Sequence, residues 1–144
     1  MELNEQLKVA IDLANKYHYG QVDKGGLPYV LHPLYVMVQV DGVKAKIVAI
    51  LHDILEDTPI IVDDLINYGF DLNIVDAIVS ITKIDGESYS DYLKRVKDNE
   101  LARIVKLADL SHNMDISRLS NPTKKDYKRV EKYKKAYEYL INFE

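Results

Sequence analysis

The chain has 144 residues, 47% of them apolar and 29% charged, with a net charge of −4 and no cysteine. That length holds one hydrophobic core and is short for two, and the composition is that of a folded chain, not a disordered one. Disulfides, thiolate metal sites and a cysteine nucleophile are excluded, and the acidic balance gives no global attraction to nucleic acid or to an anionic membrane.

Taken in chain order, Leu3, Leu7, Ala10, Ile11 and Ala14 recur at helical spacing and predict a first helix ending near Tyr17. Gly25, Gly26 and Pro28 then break the pattern, so residues 20–31 read as an irregular loop or small hairpin. His32-Pro33 opens the next helix, with proline where its missing N–H does no harm, and Asp41-Gly42 ends it. An apolar helix over 43–57 stops at Thr58-Pro59. Shorter helices follow over 62–68, 72–84, 88–97 and 100–116. A last helix over 123–143 is expected to bury Tyr127, Val130, Tyr137, Leu140 and Ile141. No strand pairing, repeat, signal peptide or membrane span is legible. The expectation is a single all-α helical bundle over residues 1–144, cytoplasmic, with no membrane or nucleic-acid partner; the oligomeric state is not legible.

The chemistry is concentrated where apolar runs carry charge. Ile47-Val-Ala-Ile-Leu-His-Asp-Ile-Leu-Glu-Asp-Thr58 places His52, Asp53, Glu56 and Asp57 in a helix that should be greasy. Asp109 sits likewise in Ile104-Val-Lys-Leu-Ala-Asp-Leu110, and His32 stands at a helix start. Each alone reads as a core histidine, a cap or a surface acid. Together they imply a buried cation, because unpaired buried charge is costly. Two imidazoles and two carboxylates suit Mn²⁺, Fe²⁺, Zn²⁺ or Mg²⁺. Four protein ligands on an octahedral ion leave positions open for water and substrate. Adjacent His52 and Asp53 leave a helix in different directions, so they converge only on an ion lying between their two faces. Glu56 and Asp57 follow them by one helical turn. Carboxylates so placed are the natural general base and general acid of a hydrolysis.

These residues carry a resemblance. His32, His52-Asp53 and Asp109 are similar to the ligand pattern of the HD superfamily of metal-dependent phosphohydrolases. Five blocks narrow it: His18-Tyr-Gly-Gln21, Lys24-Gly-Gly-Leu-Pro-Tyr-Val-Leu-His-Pro33, Leu51-His-Asp-Ile-Leu-Glu-Asp-Thr58, Ile81-Thr-Lys83 and Val105-Lys-Leu-Ala-Asp-Leu-Ser-His-Asn-Met114. In order and spacing they resemble the hydrolase domain of RelA/SpoT proteins, without room for a synthetase or regulatory region. The resemblance implies that His32, His52, Asp53 and Asp109 hold one divalent ion, usually Mn²⁺. It implies that Glu56 and Asp57 relay protons and that Lys24 and Asn113 lie at the nucleotide site. The implied reaction is removal of the 3′-pyrophosphate from guanosine tetra- or pentaphosphate. Another nucleotide or phosphate ester is the alternative substrate, and a nucleotide-binding module without turnover the alternative function.

Two positions depart from that pattern. The family commonly has arginine before the lysine and arginine after the last metal-binding aspartate; here they are Asp23 and Leu110. Both are expected to alter the nucleotide pocket and not the metal. His18 and His112 are expected to make structural hydrogen bonds, with orientation of a metal ligand as the alternative, and Lys83 and Lys106 to face water, with positive charge for phosphates as the alternative. The lysines of the last helix read as a solvated face.

Overall fold

The computed structural model describes residues 1–142. Phe143, the predicted end of the last helix, lies outside the described residues. The elements are α1 (Leu3–Tyr17), α2 (Leu31–Gln39), α3 (Val43–Leu51), α4 (Ile54–Asp57), α5 (Val62–Asn67), α6 (Leu72–Ile81), α7 (Tyr89–Asp98), α8 (Glu100–Asn113), a 3-10 helix (Ile116–Arg118) and α9 (Lys124–Ile141). Among the described residues the single β contact is an isolated antiparallel bridge between Val22 and Pro28. The all-α architecture stands, and the 20–31 segment is a minimal hairpin.

Helix α3 is the axis of the bundle. Ile47 through Leu51 are fully buried, and the helix packs against α1, α2, α6 and α8. A segment apolar on every side is stable only when surrounded, and each buried isoleucine contributes roughly 1.5–3 kcal/mol. Gly42, at φ 91°, reverses the chain between α2 and α3 in a conformation that side chains resist. Lys46 Nζ then donates to the carbonyls of Met37 and Val40, closing the end of α2.

Four local expectations are corrected. The 43–57 run is two helices, broken at His52-Asp53, where Asp53 adopts φ −106°, ψ 2°. His52 Nδ1–H takes the carbonyl of Ala49 at 2.6 Å across that break. Pro33 is the third residue of α2, not the first. Helix α6 ends at Ile81, three residues early, where Thr82 turns extended and its hydroxyl donates back to Ile78. Helix α9 buries Ala136 and Leu140, while Tyr127 and Ile141 are exposed. Both lie near its ends, off the stripe through Tyr133, Ala136, Tyr137 and Leu140 that meets the core.

Candidate metal centre and substrate cleft

Three packed elements bring the predicted ligands together. His32 projects from the first turn of α2, His52 and Asp53 from the break after α3, and Asp109 from the middle of α8, which crosses both helices. His32 Nε2 lies 2.8 Å from Asp109 Oδ1. His52 Nε2 lies 3.0 Å from Asp53 Oδ2 and 3.3 Å from Asp109 Oδ1. One ligand atom each from His32, His52 and Asp109 fall within 4.8 Å of one another. Asp53 is not part of that tightest set and approaches from the side of His52. The helix break is what lets neighbouring residues 52 and 53 face one point.

A cation fits this arrangement. His52 Nε2 is completely buried and makes no well-directed hydrogen bond, although two carboxylates stand before it. An orphaned buried nitrogen is costly and is satisfied by an ion seated between imidazole and carboxylates. Burial disfavours an imidazolium at His52, but Asp53 and Asp109 outweigh it and hold the pKa well above the ordinary value. Burial likewise opposes charge on Asp53, and His52 overcomes it to leave that carboxyl at about 2. Asp109, fully buried, is held well below the usual carboxylate range by Lys106 and the two histidines, against the cost of its burial.

The supporting groups include residues whose role the sequence left open and others, such as Tyr29 and Tyr35, that it did not single out. The nitrogen His32 turns away from the centre, Nδ1, meets His112 Nδ1 at 2.7 Å. His112 stacks on Tyr35 with ring centroids 3.9 Å apart. Burial, Arg118 and His32 push its pKa down to about 4, so it is neutral at pH 7. It therefore fixes the orientation and tautomer of His32, the alternative role left open for it by the sequence. Tyr29 hydrogen bonds through its hydroxyl to Asp53; burial first, then the Asp53 charge, raises its pKa far above the ordinary value. Lys106 does not face water: Nζ lies 2.9 Å from Asp109 Oδ2 with the side chain 14% exposed. His18 makes the structural bond expected, with Gln21 Oε1 at 2.8 Å, and Gln21 Nε2 donates to the Asp57 carbonyl.

A cleft of about 550 Å³ runs outward from the centre. His32, Asp53, Lys106, Asp109 and Asn113 line its inner part, and Lys24, Asp23, Arg118, Asp126, Arg129 and Tyr133 its outer walls. Each of these cations is held by a carboxylate. Arg129 Nη2 sits 2.6 Å from Asp126 Oδ1, Lys24 Nζ 3.7 Å from the same oxygen, and Arg118 Nη2 3.8 Å from Asp23 Oδ2. Asn113 also lines the cleft, but its amide donates to Asp109 Oδ1 at 3.1 Å, so it steadies that carboxylate. Glu56 and Asp57 are solvent-exposed and lie outside the cleft lining. Partial desolvation and the negative charge of Asp53 raise the pKa of both. The expectation for Leu110 is overturned: it is fully buried in the core and does not line the cleft. One residue past Asp109 is about 100° around the helix, which turns it inward.

No protein-family model matches the chain. It is 33% identical over 123 residues, 73% of its length, to a guanosine-3′,5′-bis(diphosphate) 3′-pyrophosphohydrolase of Borreliella burgdorferi, and covers 18% of that protein. A protein of the same description from Spiroplasma citri is 31% identical, with 76% and 17% covered. A GTP pyrophosphokinase of Streptomyces antibioticus is 31% identical, with 88% and 16% covered. The chain thus spans less than a fifth of these relatives, whose descriptions name two opposed activities. Among solved structures, a metazoan ortholog of SpoT described as hydrolyzing ppGpp superposes with a TM-score of 0.76 at 19% identity, covering 96% of this chain and 86% of that one.

Proposed function

The chain is a RelA/SpoT-type HD hydrolase domain, and on that premise we propose that it removes the 3′-pyrophosphate from guanosine tetra- or pentaphosphate with one divalent ion, Mn²⁺. The observation that carries this reading is the buried, orphaned His52 Nε2 between Asp53 and Asp109, beside His32, at the closed end of a cleft lined by cations. His32, His52, Asp53 and Asp109 are the proposed ligands. Such an ion supplies Lewis-acid polarisation of a phosphate oxygen and makes an attacking water more acidic.

The chain's own groups divide the remaining work. Lys106, anchored on Asp109, and Lys24, at the outer wall, offer positive charge to the phosphates. Asn113 holds Asp109 in place. Glu56, its pKa raised above the ordinary 4.5, takes a proton from the attacking water, and Asp57 completes the relay. A new O–P bond forms, the bond from that phosphorus to the ribose 3′-oxygen breaks, and the oxygen leaves as a hydroxyl with the proton returned to it. The products are the nucleoside 5′-diphosphate from the tetraphosphate, or the 5′-triphosphate from the pentaphosphate, and pyrophosphate. The proposed compartment is the cytoplasm, with no nucleic-acid partner; no described helix is long and apolar enough to cross a membrane.

The test is pyrophosphate release from guanosine tetraphosphate by Mn²⁺-loaded protein. Release above that of Asp53→Ala supports the reading, and equal release overturns it. A second reading, a nucleotide-binding domain without turnover, draws on the exposed placement of Glu56 and Asp57 outside the cleft lining. Tight nucleotide binding without release in the same assay would favour it.

A further inference from the structure

The loop between α1 and α2 reaches across to the turn that carries Glu56 and Asp57. His18, the residue that ends α1, is 1% exposed, and its Nδ1 lies 2.8 Å from Gln21 Oε1. Gln21 Nε2 in turn donates to the Asp57 carbonyl at 2.9 Å. A carbonyl only accepts, so the amide has one orientation open to it, with Oε1 toward the imidazole. That oxygen also only accepts, and His18 Nδ1 must therefore carry a proton. The backbone of Gln21 is held as well: its N–H donates to the His18 carbonyl at 3.0 Å, and its carbonyl accepts from the Tyr29 N–H at 2.8 Å. A glutamine ordinarily keeps its side-chain torsions in motion, and here both ends of the amide and the main chain are fixed. His18 Nε2 is buried and makes no hydrogen bond among the described residues, so what His18 contributes as a polar group passes through Nδ1.

The receiving end needs such support. Helix α4 is a four-residue turn, Ile54–Asp57. A single turn fixes many torsions for very few hydrogen bonds and does not hold its shape alone. Its own bonds are those of the Asp57 N–H to the Asp53 carbonyl at 3.0 Å and of the Thr58 hydroxyl to the Ile54 carbonyl at 2.6 Å. Ile54 anchors one side of the turn in the core, while Glu56 and Asp57 are exposed on the other. The Asp57 carbonyl, at the end of the turn, has no partner within it and is taken by Gln21. Without that bond the exposed side is free to fray, and misplacing a reacting group by about 1 Å costs on the order of 100-fold in rate.

We propose that His18 and Gln21 are positioning residues for the proton-transfer pair: His18 sets the Gln21 amide, and Gln21, through the Asp57 carbonyl, holds the turn that aims Glu56 and Asp57. Their role rests on the function proposed above, in which those two acids form the relay. A competing route runs through Tyr29, whose ring centroid lies 5.3 Å from that of His18 and whose hydroxyl bonds to Asp53. An effect along that route would reach the metal and not the acids.

Steady-state hydrolysis of guanosine tetraphosphate by the Mn²⁺-loaded protein separates the routes. Gln21→Met keeps the bulk of the side chain without its amide. It should lower kcat about tenfold, a share of the roughly 100-fold or more that a general base contributes, with KM and metal content unchanged. His18→Ala should do the same. In a Glu56→Gln background the Gln21→Met loss should vanish, because residues that act through one group are not additive; a merely structural defect would persist there. An unchanged kcat in Gln21→Met, a loss that persists beside Glu56→Gln, or a loss of metal overturns the assignment. A wild type without turnover refutes the proposed reaction instead, and the positioning is then decided by NMR of the Mg²⁺-loaded protein, which is diamagnetic. A proton on His18 Nδ1, with the Glu56 and Asp57 amide resonances displaced in both Gln21→Met and His18→Ala, retains it. An unprotonated Nδ1, or an acidic turn unmoved in Gln21→Met, overturns it. His18 is buried, so melting temperatures identify a His18→Ala protein that fails to fold, and Gln21→Met, at a half-buried position, then decides alone.

Discussion

At the inner end of the cleft, His32, His52 and Asp109 are each at most 5% exposed and project from helices packed on one core. At the outer end, the side chains of Lys24, Arg118 and Asp23 are 59%, 29% and 19% exposed and sit on a loop and a short 3-10 turn. The inner groups interlock with one another, so no single member can be removed without stranding buried charge. The outer groups make looser ion pairs, at 3.7–3.8 Å for the loop residues, and these open at little cost. A site built this way keeps its chemistry fixed while its ligand preference remains adjustable.

The strongest break of that contrast comes from the inner end. His52→Ala or Asp53→Ala should abolish metal binding, measured by metal content after dialysis, and with it turnover. His52→Ala also leaves Asp109 with less counter-charge, so its melting temperature should fall. A variant that keeps full metal content would sink the ligand assignment.

Next in size is Glu56→Gln. Turnover should fall on the order of 100-fold while metal content is unchanged. The pH dependence sharpens the same point. The folded-state pKa of Glu56 is raised above 4.5 by partial burial and by Asp53 and Asp57, so the fold disfavours its charged form. That penalty is absent below pH 4.5 and develops as pH rises through the raised value. Metal-free Glu56→Gln should therefore melt above wild type at pH 7, with the difference closing near pH 4. A variant less stable than wild type at pH 7 would contradict the charge crowding described.

His112→Ala should weaken metal affinity by about tenfold to 100-fold, the range for removing a partner that orients a ligand histidine, while the fold survives because His112 is only partly buried. Competition with a metallochromic chelator reads this directly. The smallest effect belongs to Lys24→Ala at the outer end. It should raise KM less than tenfold, and the loss should shrink further in high salt, because an exposed pair contributes about 1 kcal/mol or less and is screened. A salt-independent or larger loss would place Lys24 with the inner set.

Much of this was legible before any coordinates. The helices follow from apolar periodicity, and the ligand candidates from charge standing in runs that had to be buried. What failed failed for tertiary reasons. Leu110 was read as a pocket position because it follows Asp109, but α8 presents adjacent residues to different neighbours and gives Leu110 to the core. Asp23 was read as a loss for the nucleotide pocket; its loop bonds to Gly25 and Leu27 are local, but its pairing with Arg118 is a contact 95 residues away in sequence, for which no local pattern exists. The partners of Tyr29 and Lys106 are set by packing alone, since a tyrosine in a loop and a lysine on a helix ordinarily face solvent. The break at His52-Asp53 was invisible because both flanking runs are equally apolar.

The sequence by itself determined that the chain is an all-α core with a small set of ionisable groups forced inside it, because burial of charge is too costly to be accidental. Only the tertiary structure decided which of those groups face one point and which cations line the way to it. Periodicity assigns a residue to a face of its own helix, but the identity of what that face meets is set by packing between elements far apart in the chain.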